Sequence, residues 1–180
     1  MKRSLVFVAA VSLVLSSAAL AQSVGEKTGV NSTLGISPTT ADFVKEAAIS
    51  DMMEIESSKI AQQKGNAEEK QFAGQMITDH TKTSSELKGL VSSGDVKAEI
   101  PAALDSSSQS KLEKLRDAKP ADFVGQYDPM QVSAHKDAVS LFERYAKGGD
   151  NAKLKDWAGK TLVALQHHLE MAEELDRNRK

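Results

Sequence analysis

The sequence contains no cysteine. No disulfide can therefore staple it in an oxidising compartment, and its stability must come from packing. It also lacks an excess of basic charge, with 23 Lys and Arg against 25 Asp and Glu. Nucleic acid is accordingly not expected as a partner. Strand signals are nearly missing, since no segment sustains an alternation rich in β-branched and aromatic residues. After Leu15 no apolar run approaches the roughly 20 residues that a bilayer span requires, so no stable membrane span is expected once the N-terminus is removed.

The one apolar run, from Leu5 to Leu15, follows Lys2 and Arg3 and leads into Ala19, Leu20 and Ala21. This order predicts a cleavable signal peptide over 1–21 and export to the periplasm or the exterior, with a retained N-terminal anchor as the alternative. Gln22 stands after the predicted cut, where a bacterial lipoprotein would carry cysteine, so lipid anchoring is not expected. Losing Lys2 and Arg3 leaves 21 basic side chains against 25 acidic ones, a formal charge of −4 in place of −2. Residues 22–38, which include SVGEKTGVNSTLGISP with its three glycines, show no repeated apolar face and read as a mobile linker. What remains, 39–178, suffices for one packed domain.

That remainder carries four long amphipathic patterns. Thr39 or Thr40 can cap the first, whose stripe of Phe43, Ala47, Ser50, Glu54, Ser57 and Ala61 ends near Gly65. Asn66 and Glu69 have the spacing of a capping box, and the second stripe runs Phe72, Met76, His80, Thr83, Leu87, Leu90 before Gly94. A long crossover follows, with Pro101, a serine run and a short helical signal from Asp105 that includes Leu112 and Leu115. Pro120 opens the third pattern, with Phe123, Tyr127, Val132, His135, Val139 and Phe142 on or near one face. Pro129 either kinks this helix or marks its true start with Asp128 as cap. Asp150 or Asn151 can cap the fourth, which repeats Leu154, Ala158, Thr161, Leu165, His168, Ala172 and Leu175. Helices over 39–64, 67–93, 120–147 and 151–178, joined by two short connections and one long crossover, predict an all-α four-helix bundle.

Each pattern places one ionisable residue near its middle, on the stripe that faces the core: Glu54, His80, His135 and His168. Their distances from the four helix centres differ by only about three residues, or roughly 5 Å, so an aligned bundle puts them in one layer. Burying a carboxylate and three imidazoles uncompensated is costly, which calls for a shared ion or mutual hydrogen bonding. As ligands they suit one first-row transition-metal ion, zinc, iron, copper or nickel, with water able to complete the shell. Ligand histidines need an acceptor on the second ring nitrogen, and Asp51, Ser50, Thr83, Glu143 and Thr161 lie near the layer. Asp79 points about 100° away from His80 around the helix, which favours solvation or helix packing. The methionines 52, 53, 76 and 171 read as core filling, His167 as a surface residue, and Trp157, Phe72, Phe123 and Phe142 as bundle packing.

The blocks ADFVKEAAISDMMEIESSKIA, FAGQMITDHTKTSSELKGL, PM-x-VSAHKDAVSLFERYA and LKDWAGKTLVALQHHLEMAEEL resemble the exported bacterial family catalogued as domain of unknown function 4142. The resemblance spans nearly all of the predicted bundle. It implies a ferritin-like four-helix fold, no established activity, and recurrent polar residues at Glu54, Asp79, His80, His135 and His168. Di-iron members of the wider ferritin-like group carry Glu-x-x-His on two helices. Here Ile77, Val132 and Leu165 precede the histidines by three residues, which speaks against a di-iron ferroxidase. The expectation is an exported bundle that binds one metal ion for sequestration, sensing or envelope stress protection. The alternative is a structural or interaction protein of the envelope whose polar layer fixes register without metal. No separate nucleophile or base motif supports an enzyme, and no protein partner is indicated.

Overall fold

The computed structural model describes residues 29–179. The expected signal peptide lies outside the described residues. Six helices follow in order: α1 (Val30–Leu34), α2 (Thr40–Lys64), α3 (Ala67–Ser92), α4 (Ser106–Asp117), α5 (Pro120–Gly148) and α6 (Ala152–Asn178). Strands are absent among the described residues, and no helix there is long and apolar enough to cross a membrane. The architecture is an all-α helical bundle.

The helix starts follow from local chemistry. Thr39 accepts from the Asp42 amide, Asp105 from that of Ser108, and Asn151 from that of Leu154. Asn66 and Glu69 close a reciprocal capping box. Each such cap satisfies an amide that the helix leaves unpaired, typically contributing about 1 kcal/mol. α5 begins with Pro120 in its first turn and runs on through Pro129. Pro129 has no N–H to offer the Gly125 carbonyl, yet the helix continues, and Asp128 is a buried interior residue instead of a cap.

Part of the stretch expected to be a mobile linker is ordered. α1 buries Asn31, Ser32 and Ser140 hydroxyls meet at 3.1 Å, and Arg144 Nη1 donates to the Ile36 carbonyl at 2.7 Å. Polar contacts to α5 hold this segment, which is why apolar periodicity gave no sign of it.

The core divides into two apolar clusters. One gathers Phe43, Ala47, Leu87, Phe142, Trp157 and Leu165 among others. The second gathers Ile60, Phe72, Met76, Tyr127, Ala172 and Leu175 with their neighbours. α2 and α6 pass from the first cluster to the second, whereas α3 and α5 pass from the second to the first. The hairpins α2–α3 and α5–α6 are therefore antiparallel, and the crossover bearing α4 lets α5 run in the direction of α3. On all four long helices the boundary between the clusters falls at one layer, and there stand Glu54, His80, His135 and His168.

Candidate metal centre

The four side chains are 1–3 % exposed. The three imidazoles form a nearly equilateral triangle, with ring centroids 5.5, 5.6 and 5.8 Å apart. One ring nitrogen from each lies within 4.8 Å of the other two. Three nitrogens about 2.1 Å from a tetrahedral ion stand roughly 3.4 Å apart, so a small inward adjustment of the rings would complete such a site.

Hydrogen bonding fixes which nitrogen each ring turns inward. His80 Nδ1 meets Asp51 Oδ1 at 2.8 Å, His135 Nδ1 meets the Gln131 carbonyl at 2.9 Å, and His168 Nε2 meets Asp79 Oδ2 at 2.8 Å. A carbonyl or carboxylate oxygen only accepts, so each contacted nitrogen carries the proton. The other nitrogen of a neutral ring then presents a lone pair. Those atoms, His80 Nε2, His135 Nε2 and His168 Nδ1, are buried without a hydrogen-bond partner among the described residues, and so is Glu54 Oε2. When all three rings are neutral, four orphaned acceptors occupy one layer. Each unsatisfied buried group costs about 1–3 kcal/mol, which a cation would relieve.

Glu54 stands beside the triangle and outside its tight nitrogen set. Its charge acts on both His80 and His135, favouring their protonated forms. Its position on α2, three residues after Asp51, puts both carboxylates on one helical face. Asp51 is itself held: Thr83 donates to Oδ1 at 2.9 Å and Ser84 to Oδ2 at 3.2 Å. Among the sequence candidates for orienting groups, Asp51 serves His80 directly and Thr83 serves through Asp51. Ser50 lines a cleft, Glu143 pairs with Lys147 at 2.9 Å, and Thr161 is buried on α6.

Asp79 sharpens the sequence reading of helix packing. It does point away from His80, but across the helix interface it reaches His168 and also accepts from Gln75 at 2.6 Å. The Gln131 carbonyl was not foreseen either, because a main-chain acceptor leaves no mark in residue type. His167 is exposed beside Glu170, and Met53 and Met76 are buried in the core, as the sequence suggested.

The electrostatics separate the three rings. Burial disfavours the His80 cation, but Asp51, Glu54 and Asp79 outweigh it and the pKa is raised above the ordinary 6.5. Burial lowers the pKa of His135, assisted by the charge of His80 and opposed by Glu54. Burial also pushes His168 down to about 4, against the pull of Asp79, with the other two imidazoles adding to the depression. Close packing of three rings makes a second proton costly. Near neutral pH, His135 and His168 therefore present free lone pairs, and His80 does so in its neutral form.

Residues 25–175 match the family described as Domain of unknown function (DUF4142). No curated protein and no solved structure matched the chain.

Proposed function

We propose that this chain, which belongs to the Domain of unknown function (DUF4142) family, binds one transition-metal ion through His80, His135 and His168. In this reading Glu54 neutralises the ion's charge and is available as a fourth ligand. The observation that carries the proposal is the direction of the hydrogen bonds. Each ring turns one N–H outward onto Asp51, the Gln131 carbonyl or Asp79, so that with His80 in its neutral form only acceptors remain inside. A polar layer built for mutual hydrogen bonding would alternate donors with acceptors, whereas a layer of acceptors suits a cation. Imidazole ligands with one carboxylate favour zinc, iron, copper or nickel.

The biological role proposed is sequestration, sensing or stress protection in the envelope, on the premise that the N-terminal segment directs export. Two antiparallel hairpins joined by one long crossover also support the ferritin-like reading of the fold. Ile77, Val132 and Leu165, at the positions preceding the histidines by three, support a single ion over a di-iron pair. The metal-free structural reading is supported by the same burial, and it differs in what metal does to stability.

The test is elemental analysis of signal-free protein purified without a histidine tag, then thermal unfolding with zinc, iron, copper or nickel. A ligand at one hundred times its Kd stabilises by about 2.7 kcal/mol. For a domain of this size that raises Tm by roughly 5–10 °C. His135→Ala should abolish the rise. Equal metal responses in the wild type and His135→Ala would refute the proposal in favour of the structural reading.

A further inference from the structure

A buried site needs an entrance. Between α2 and α5, under the first turn of α4, lies a cleft of about 690 Å³. Its walls include the buried residues Ile49, Met53, Ala138 and Glu54, the last of which belongs to the histidine layer. Two other cavities, of about 390 and 310 Å³, have none of the four site residues in their walls. Glu54 thus has two faces. It lines the cleft, while its Oε2 is buried with no hydrogen-bond partner and its charge is felt by His80 and His135.

We propose that this cleft is the route by which a divalent cation reaches the histidine triangle, and that Glu54 is the carboxylate that receives the ion and passes it inward. The proposal rests on the metal reading above and adds the path and the relay. Bringing a hydrated dication into an apolar interior is strongly opposed unless a fixed negative charge replaces the lost water. The buried, unpartnered carboxylate of Glu54 supplies that charge at the inner end of the cleft. The other walls fit passage better than retention. Lys45, Lys111 and Arg144 balance Glu46, Asp105 and Asp137 around the outer cleft, and Lys45 already pairs with Glu46 at 3.5 Å. A cation is therefore not held at the mouth and moves on to Glu54, then to the three lone pairs beyond it.

Two variants test the route, and Ala134→Phe, which touches no proposed ligand, separates it from the site. Glu54→Gln keeps the volume and removes the charge, while Ala134→Phe fills the cleft from the α5 side. Uptake of Zn²⁺ and Cu²⁺ by tag-free apo-protein would be followed by rapid mixing with an indicator dye, alongside the final stoichiometry and apo-protein thermal unfolding. Each variant is expected to slow uptake at least tenfold, with Ala134→Phe still reaching one ion per chain. Wild-type uptake rates in both folded variants would overturn the route and leave the metal centre standing. If wild-type protein takes up neither these ions nor Fe²⁺ and Ni²⁺, the metal reading falls and the route with it.

Discussion

Replacing Asp128 by asparagine should stabilise this protein at alkaline pH and destabilise it in acid. Asp128 is 0 % exposed, and both carboxyl oxygens lack a hydrogen-bond partner among the described residues. Burial, then the charge of Glu69, with Asp176 and Glu68 adding and Arg179 opposing, pushes its pKa up to about 7 from an ordinary 3.8. That rise corresponds to about 4 kcal/mol against the ionised form, an upper bound at pH well above 7. Asparagine avoids that charge but brings an amide that also needs partners, at about 1–3 kcal/mol. The net gain expected at pH 8.5 is therefore about 1–3 kcal/mol. The folded pKa exceeds the unfolded one, so the native state holds the proton more tightly. The stabilisation from that proton is fully present below about pH 4 and is lost as pH rises through about 7. Urea unfolding of chelator-treated protein at pH 4.5 and 8.5, followed by circular dichroism, measures both ends. A variant less stable than wild type at pH 8.5, or one with the same difference at both pH values, would refute the argument.

Two further outcomes concern the proposed metal centre. Asp79→Asn should preserve the fold yet weaken metal binding by about 10–100-fold, since the carboxylate that orients His168 is gone. Competition with a chelator of known affinity reads this directly, and unchanged affinity would remove Asp79 from the site. Metal affinity should also fall as pH drops through the pKa of His80, which is raised above 6.5 by Asp51, Glu54 and Asp79 against the effect of burial. Calorimetry in buffers of different ionisation enthalpy should find close to one proton released per ion below that pKa and none well above it. Proton release independent of pH would contradict this assignment.

The helices were legible because each carries its own start signal and its own stripe. Asn66 with Glu69, Asp105, and the glycines or prolines between segments act within a few residues, so local sequence suffices to place boundaries. The site residues were legible for a related reason. An ionisable residue on an apolar stripe has an unmet need for polar partners, and four such residues at matching heights imply one layer. α1 was not legible, because Arg144 and Ser140 hold it from more than one hundred residues away. The role of Asp79 escaped for the same reason: its partner is on α6, and its position on α3 suggested only that it faced away from His80.

By itself, the sequence determined an all-α chain, the span of each long helix and the four polar residues on the core stripe. Periodicity and capping are properties of neighbouring residues, so they require no knowledge of the whole. Tertiary structure decided the direction of each imidazole, because that direction depends on acceptors contributed by other helices and by the main chain. It also put Glu54 in the wall of a cleft while its charge acts on His80 and His135, and it gave Asp128 a buried place inside a continuous helix. Those features arise only when the two hairpins pack, since packing determines which polar atoms find partners and which remain unsatisfied.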